Sequence, residues 1–100
     1  MSNKYGDTMT VDGILTPLGY QQITALTAAT ALTVPAGARI AIIQPEAAGM
    51  RWRDDGVDPT ATVGMVLALG DAPLTYNGNL AAIRLIQTAT GGILNVSYYG

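Results

Sequence analysis

The chain has 100 residues, a formal net charge of −2 and only 12% charged side chains, with no cysteine and no histidine. That length argues one domain, and the charge balance lacks the basic footprint of a nucleic-acid binder. Missing cysteine removes disulfides, thiol nucleophiles and thiolate metal sites, and missing histidine removes the commonest general base and zinc ligand, so neither catalysis nor a cofactor is expected.

Hydrophobic residues make up 49% of the chain, enough for one modest core and too many for a disordered segment. A surface so poor in charge and rich in Ala and Thr suits a subunit partly covered by neighbours. No run reaches the roughly 18 apolar residues of a membrane span. Residues 1–7 are polar and lack the apolar core of a signal peptide, so neither a membrane nor a leader is expected.

Residues 1–18 read as an extended N-terminal arm, punctuated by Gly6, Asp7, Asp12, Gly13 and Pro17, with Val11, Ile14, Leu15 and Leu18 as scattered apolar grips. The domain is expected to fill 19–100. Tyr20 to Leu26 alternates as a strand, and its threonines favour a pleated surface over a helix. Ala31 to Val34 is a second extended piece, closed by Pro35-Ala36-Gly37. Arg39 to Gln44 is an apolar run bounded by turn signals, which predicts a strand covered on both faces and ended by Pro45.

Next comes the densest charge of the chain, Met50 to Thr60, holding the only Trp, two of the four Arg and three of the six Asp. A period of two sets Met50, Trp52 and Asp54 on one face and Arg51, Arg53 and Asp55 on the other. Trp52 is then the expected core anchor, with the arginines outward. Asp54-Asp55-Gly56 and Asp58-Pro59 signal a loop. Two roles are open for Arg51, Arg53, Asp54, Asp55 and Asp58: a contact surface toward other subunits, or an internal brace for a long loop.

Val63 to Leu69 is a further strand, interrupted by Gly64. Leu74 to Tyr76 is brief and precedes the turn signal Asn77-Gly78-Asn79. Ala82 to Gln87 resembles Ala38 to Gln44 in miniature and suggests two similar core strands. In the closing strand, Ile93 to Tyr99, Leu94, Val96 and Tyr98 share one face. Seven to eight short antiparallel strands without βαβ alternation predict an all-β sandwich or jelly roll.

The usual chemistries find little footing. Asp54, Asp55 and Asp58 lack the alternation and distal Glu of a calcium loop, and adjacent strand carboxylates do not converge for acid–base work. Ser2 and Ser97 have no histidine to activate them. Gly91-Gly92 has no lysine or following helix to cradle phosphate. Trp52 with Tyr98 or Tyr99 could serve as stacking platforms of a carbohydrate-binding module, but only with ring faces in water. The plainer expectation puts one tyrosine in the core and one at its rim.

Several blocks resemble a group of small structural proteins of tailed bacteriophages: Ala31-Leu32-Thr33-Val34-Pro35-Ala36-Gly37-Ala38, Arg51-Trp52-Arg53-Asp54-Asp55-Gly56, Pro59-Thr60-Ala61-Thr62-Val63-Gly64-Met65, Leu80 to Ile86, and Leu94 to Tyr99. They span about 70 of the 100 residues. The resemblance implies a non-enzymatic virion component, expected to be a capsid decoration (cement) protein on the head surface, made in the bacterial cytoplasm. A head–tail or tail component is the near alternative. The implied partners are the major capsid protein and further copies of this chain. The sequence alone would favour a dimer, whereas the resemblance points to a trimer. The arm at 1–18 is the part expected to reach a neighbour.

Overall fold

The computed structural model describes residues 14–100. Most of the expected arm therefore lies outside the described residues. Its last part belongs to the fold, because Thr16 and Gly100 exchange backbone hydrogen bonds at 2.7 and 3.0 Å. The domain thus reaches back past residue 19.

Eight strands form among the described residues: β1 (Pro17–Ile23), β2 (Thr30–Ala31), β3 (Ile40–Glu46), β4 (Met50–Arg53), β5 (Met65–Leu67), β6 (Leu74–Tyr76), β7 (Arg84–Gln87) and β8 (Ile93–Tyr99). They make two four-stranded sheets, ordered β1-β8-β3-β6 and β2-β7-β4-β5. All pairings are antiparallel. β4 pairs β5, β3 pairs β6, β2 pairs β7 and β1 pairs β8. The chain is thus one long double ribbon with the β4–β5 connection at its tip. Rolled up, it brings β8 against β3 and β7 against β4, and that is the jelly-roll topology.

The core lies between the sheets. β8 supplies Leu94, Val96 and Tyr98, β3 supplies Ala41 and Ile43, and the opposing sheet supplies Met50, Leu67 and Leu85. Leu26, Leu32, Leu80 and Ile83 plug it from the connections. Strict alternation in β8, with every second residue buried, follows from its central position and one solvated face. Tyr98 is the core tyrosine and Tyr99 the half-buried one, as expected.

Several sequence expectations shift. β3 is not covered on both faces: Ala41 and Ile43 are buried, while Ile40 and Ile42 are half-buried on the outer side. Pro45 does not end β3, which runs to Glu46. The β6 ladder stops at Ile43–Leu74, so a residue without an N–H is tolerated two positions on. The second extended piece shrinks to Thr30–Ala31, and the strand after Gly64 to Met65–Leu67. Asn77-Gly78 does not close a hairpin, because β6 and β7 belong to different sheets. The likeness between β3 and β7 has a structural counterpart: each is an inner strand of its own sheet.

Candidate interaction site at the tip of the roll

Residues 54–64 connect β4 to β5 and turn the ribbon at its tip. A loop of this length needs its own bracing. Arg51 provides part of it. Its Nη1 donates to the Gly64 carbonyl at 2.9 Å and its Nε to the Ala61 carbonyl at 3.3 Å. Thr60 provides more: its Oγ1 accepts from Val63 N at 3.0 Å, and its own N–H donates to the Val63 carbonyl at 2.9 Å. Pro59 is buried beneath this turn. Gly64 crosses close over β4 with φ of 140°, and a Cβ there would sit 3.1 Å from the Trp52 carbonyl oxygen and 3.2 Å from Pro59 Cβ. Only glycine fits that crossing without strain.

The charged residues are used locally. Arg53 forks onto Asp55, Nε to Oδ1 at 3.0 Å and Nη2 to Oδ2 at 2.6 Å. That fork holds the Asp55 carboxyl below its ordinary range and raises Arg53. Asp54 accepts the Tyr76 hydroxyl at 2.6 Å. Burial, reinforced by this hydrogen bond to a carboxylate, pushes Tyr76 up to about 12. Asp58 is exposed, beside Val57. Of the two roles open for the cluster, Arg51, Arg53, Asp54 and Asp55 make internal bonds, and the three aspartates do not converge.

Trp52 points to the core side as expected, yet it is half-buried and packs against the core from its rim. Its ring meets Tyr76 edge-on, centroids 5.8 Å apart at 69°. This contact bridges the two sheets where the sandwich is open, between β5 and β6. Trp52 therefore stands at an edge and not in the centre, because among the described residues no strand lies beyond β5 to cover it.

Beside it opens a cleft of about 430 Å³ lined by Trp52, Arg53, Asp54, Asp55, Val63, Gly64 and Met65. Its apolar part is Trp52, Val63 and Met65, and its polar wall is the Arg53–Asp55 pair with Asp54. The register sets Met65 opposite Trp52 and Val66 opposite Arg51. Met65 and Val66 thus lie on opposite faces of the edge strand, and each is 59% exposed. Val63, Leu69 and Val57 are exposed nearby in sequence. An edge strand with apolar side chains on both faces is a surface suited to another chain. Sequence reasoning marked the charges here and passed over Val63, Met65 and Val66. The pattern that betrays them is the unbroken apolar run Met65-Val66-Leu67, whose exposure follows from the edge position alone.

Comparison with family models, with curated proteins and with solved structures finds no match for this chain. The class that fold and site define is an all-β jelly-roll domain with an apolar edge and a braced tip loop.

Proposed function

We propose that this chain is a non-enzymatic virion structural protein, a decoration subunit that associates with further copies of itself and with the head shell of a tailed bacteriophage. The observation that carries this reading is the exposed apolar edge at β5, Met65 and Val66 above all, beside the open cleft at Trp52. Covering such surface is favourable by about 25 cal/mol per Å², offset in part by ordering and desolvation. Two further points support it. The sequence blocks around the tip loop resemble small phage structural proteins, and jelly rolls recur in viral capsid domains, although a shared architecture by itself assigns no role.

The expected assembly is a trimer. Closed symmetry is the rule for homo-oligomers, and the number three comes from the resemblance. Light scattering of the purified chain at micromolar concentration should give about three times the chain mass, and the protein should co-sediment with phage heads that lack it. Met65→Ser with Val66→Ser should lower both without changing the far-UV circular dichroism. Removing residues 1–13 should weaken head binding while the β fold remains. A stable monomer with no affinity for heads would remove the reading.

A further inference from the structure

We infer that the outer face of the β1-β8-β3-β6 sheet is a binding platform for a neutral saccharide. This face lies on the other sheet from the tip cleft and does not depend on it.

The register arranges the face in rows. Tyr20, Ser97, Ile42 and Thr75 form one row across four strands. Pro17, Tyr99 and Ile40 form the row on one side of it, and Gln22, Asn95 and Gln44 the row on the other. Glu46 lies beyond, opposite Ile93. The platform thus grades from aromatic and aliphatic to amide and carboxylate.

Two tyrosines are tethered on it. Tyr20 is 65% exposed, yet its hydroxyl donates to Asn95 Oδ1. The side chain leans along the sheet, pinned at its tip, with ring surface left bare. The Tyr99 hydroxyl accepts from Ser97 Oγ at 3.3 Å, which ties the second ring over the same strand. Rings already held in place lose little freedom when a ligand packs on them.

The polar groups are equally fixed. Asn95 Oδ1 also accepts from Gln22 Nε2 at 3.3 Å, and Asn95 Nδ2 donates to Glu46 Oε1 at 3.0 Å. Gln44 stands exposed beside Asn95. Amides both donate and accept, and a carboxylate accepts, so together they match the hydroxyls of a sugar. The pyranose ring supplies the rest of the fit, since its C–H face packs on an aromatic ring. The rows carry no lysine or arginine and one carboxylate, which disfavours an anionic polysaccharide and points to a neutral one. The row of three amides next to the Tyr20 row also argues against a homomeric interface centred on this face, since polar side chains are depleted at such centres.

The test is calorimetry on the full chain with maltohexaose and N-acetylchitohexaose as neutral probes and a polygalacturonate oligomer as the anionic one. Saturable binding to a neutral probe is expected, with weak or no binding of the anionic one. Tyr20→Ala should weaken it by roughly tenfold or more, a loss on the scale of one aromatic contact. Tyr99→Ala and Asn95→Ala should also weaken it, and Glu46→Gln should narrow the preference over polygalacturonate. Val66→Ser, on the other sheet, should bind the sugar as the parent does. Circular dichroism checks that each variant folds. Absence of binding to both neutral probes at millimolar concentration would overturn the proposal, as would full affinity in Tyr20→Ala. Tyr20→Ala that binds sugar normally but loses oligomer or head association would assign the face to protein contact instead. A chain that binds sugar but not phage heads would keep this inference and lose the virion reading.

Discussion

The hydroxyl of the buried Tyr98 donates to Oε1 of Gln21 at 2.7 Å. The same amide oxygen accepts the Thr33 backbone N–H at 3.1 Å, and Gln21 Nε2 donates to Thr33 Oγ1 at 3.1 Å. One side chain on β1 thereby satisfies the core tyrosine and ties the segment after β2 across the open edge of the sandwich. Gln21→Leu should cost about 1–3 kcal/mol, because it leaves the part-buried Tyr98 hydroxyl without its acceptor and unties Thr33, whose exposed N–H turns to water. Tyr98→Phe removes a donor but leaves Gln21 bonded to Thr33, so it should cost less. Urea denaturation of both variants checks the order.

Trp52→Ala should destabilise the fold by about 2–3 kcal/mol, below the range for a fully buried aromatic, because Trp52 packs on the core from its rim. As the only tryptophan, it reports directly on its surroundings. Its emission should be intermediate between buried and solvated, and acrylamide should quench it in the native state. Blue-shifted, quencher-resistant emission would show the cleft closed.

Alkali should unfold the protein in a defined window. Tyr76 and Tyr98 are both pushed up to about 12, each chiefly by burial. A raised tyrosine pKa favours the neutral form in the folded state. The corresponding stability is complete below the ordinary value near 10 and is lost as pH rises toward about 12. Absorbance at the phenolate band and circular dichroism should therefore show these two tyrosines ionising together with loss of structure.

Gly64→Ala should loosen the tip loop. The residue adopts φ of 140° and a methyl group would press on the Trp52 carbonyl oxygen at 3.1 Å. A cost of about 1–3 kcal/mol is expected for strain of this kind. Hydrogen exchange should accelerate across residues 54–64 first, because the Arg51 bond to the Gly64 carbonyl is the brace most directly displaced.

Acidification should weaken the Arg53–Asp55 fork. Asp55 has a lowered pKa, so its contribution is present above the ordinary carboxylate value and disappears as pH falls through the folded one. The pair is exposed, so the effect should be seen locally, as a shift of the Asp55 carboxyl resonance to low pH that Arg53→Gln abolishes, with little change in melting temperature.

Local chemistry alone determined much of this protein. The period-two alternation from Ile93 to Tyr99 placed Leu94, Val96 and Tyr98 inward, and turn chemistry separated the strands, because both depend on neighbours a few residues away. The same reasoning marked residues 50–60 as a strand running into a charged loop, and left both a contact surface and an internal brace open for those charges. What the tertiary structure decided were matters of distant neighbours. Pro45 remains in a strand because the β6 ladder ends before reaching it. Trp52 is a rim residue and Met65 an exposed one because β5 is an edge. Arg51 finds its partners among carbonyls ten and thirteen residues away. Tyr20 and Asn95, 75 residues apart, meet on one face only because β1 pairs with β8. Sheet membership is a long-range property, set by how the ribbon rolls, and no local pattern encodes which strand lies beside which.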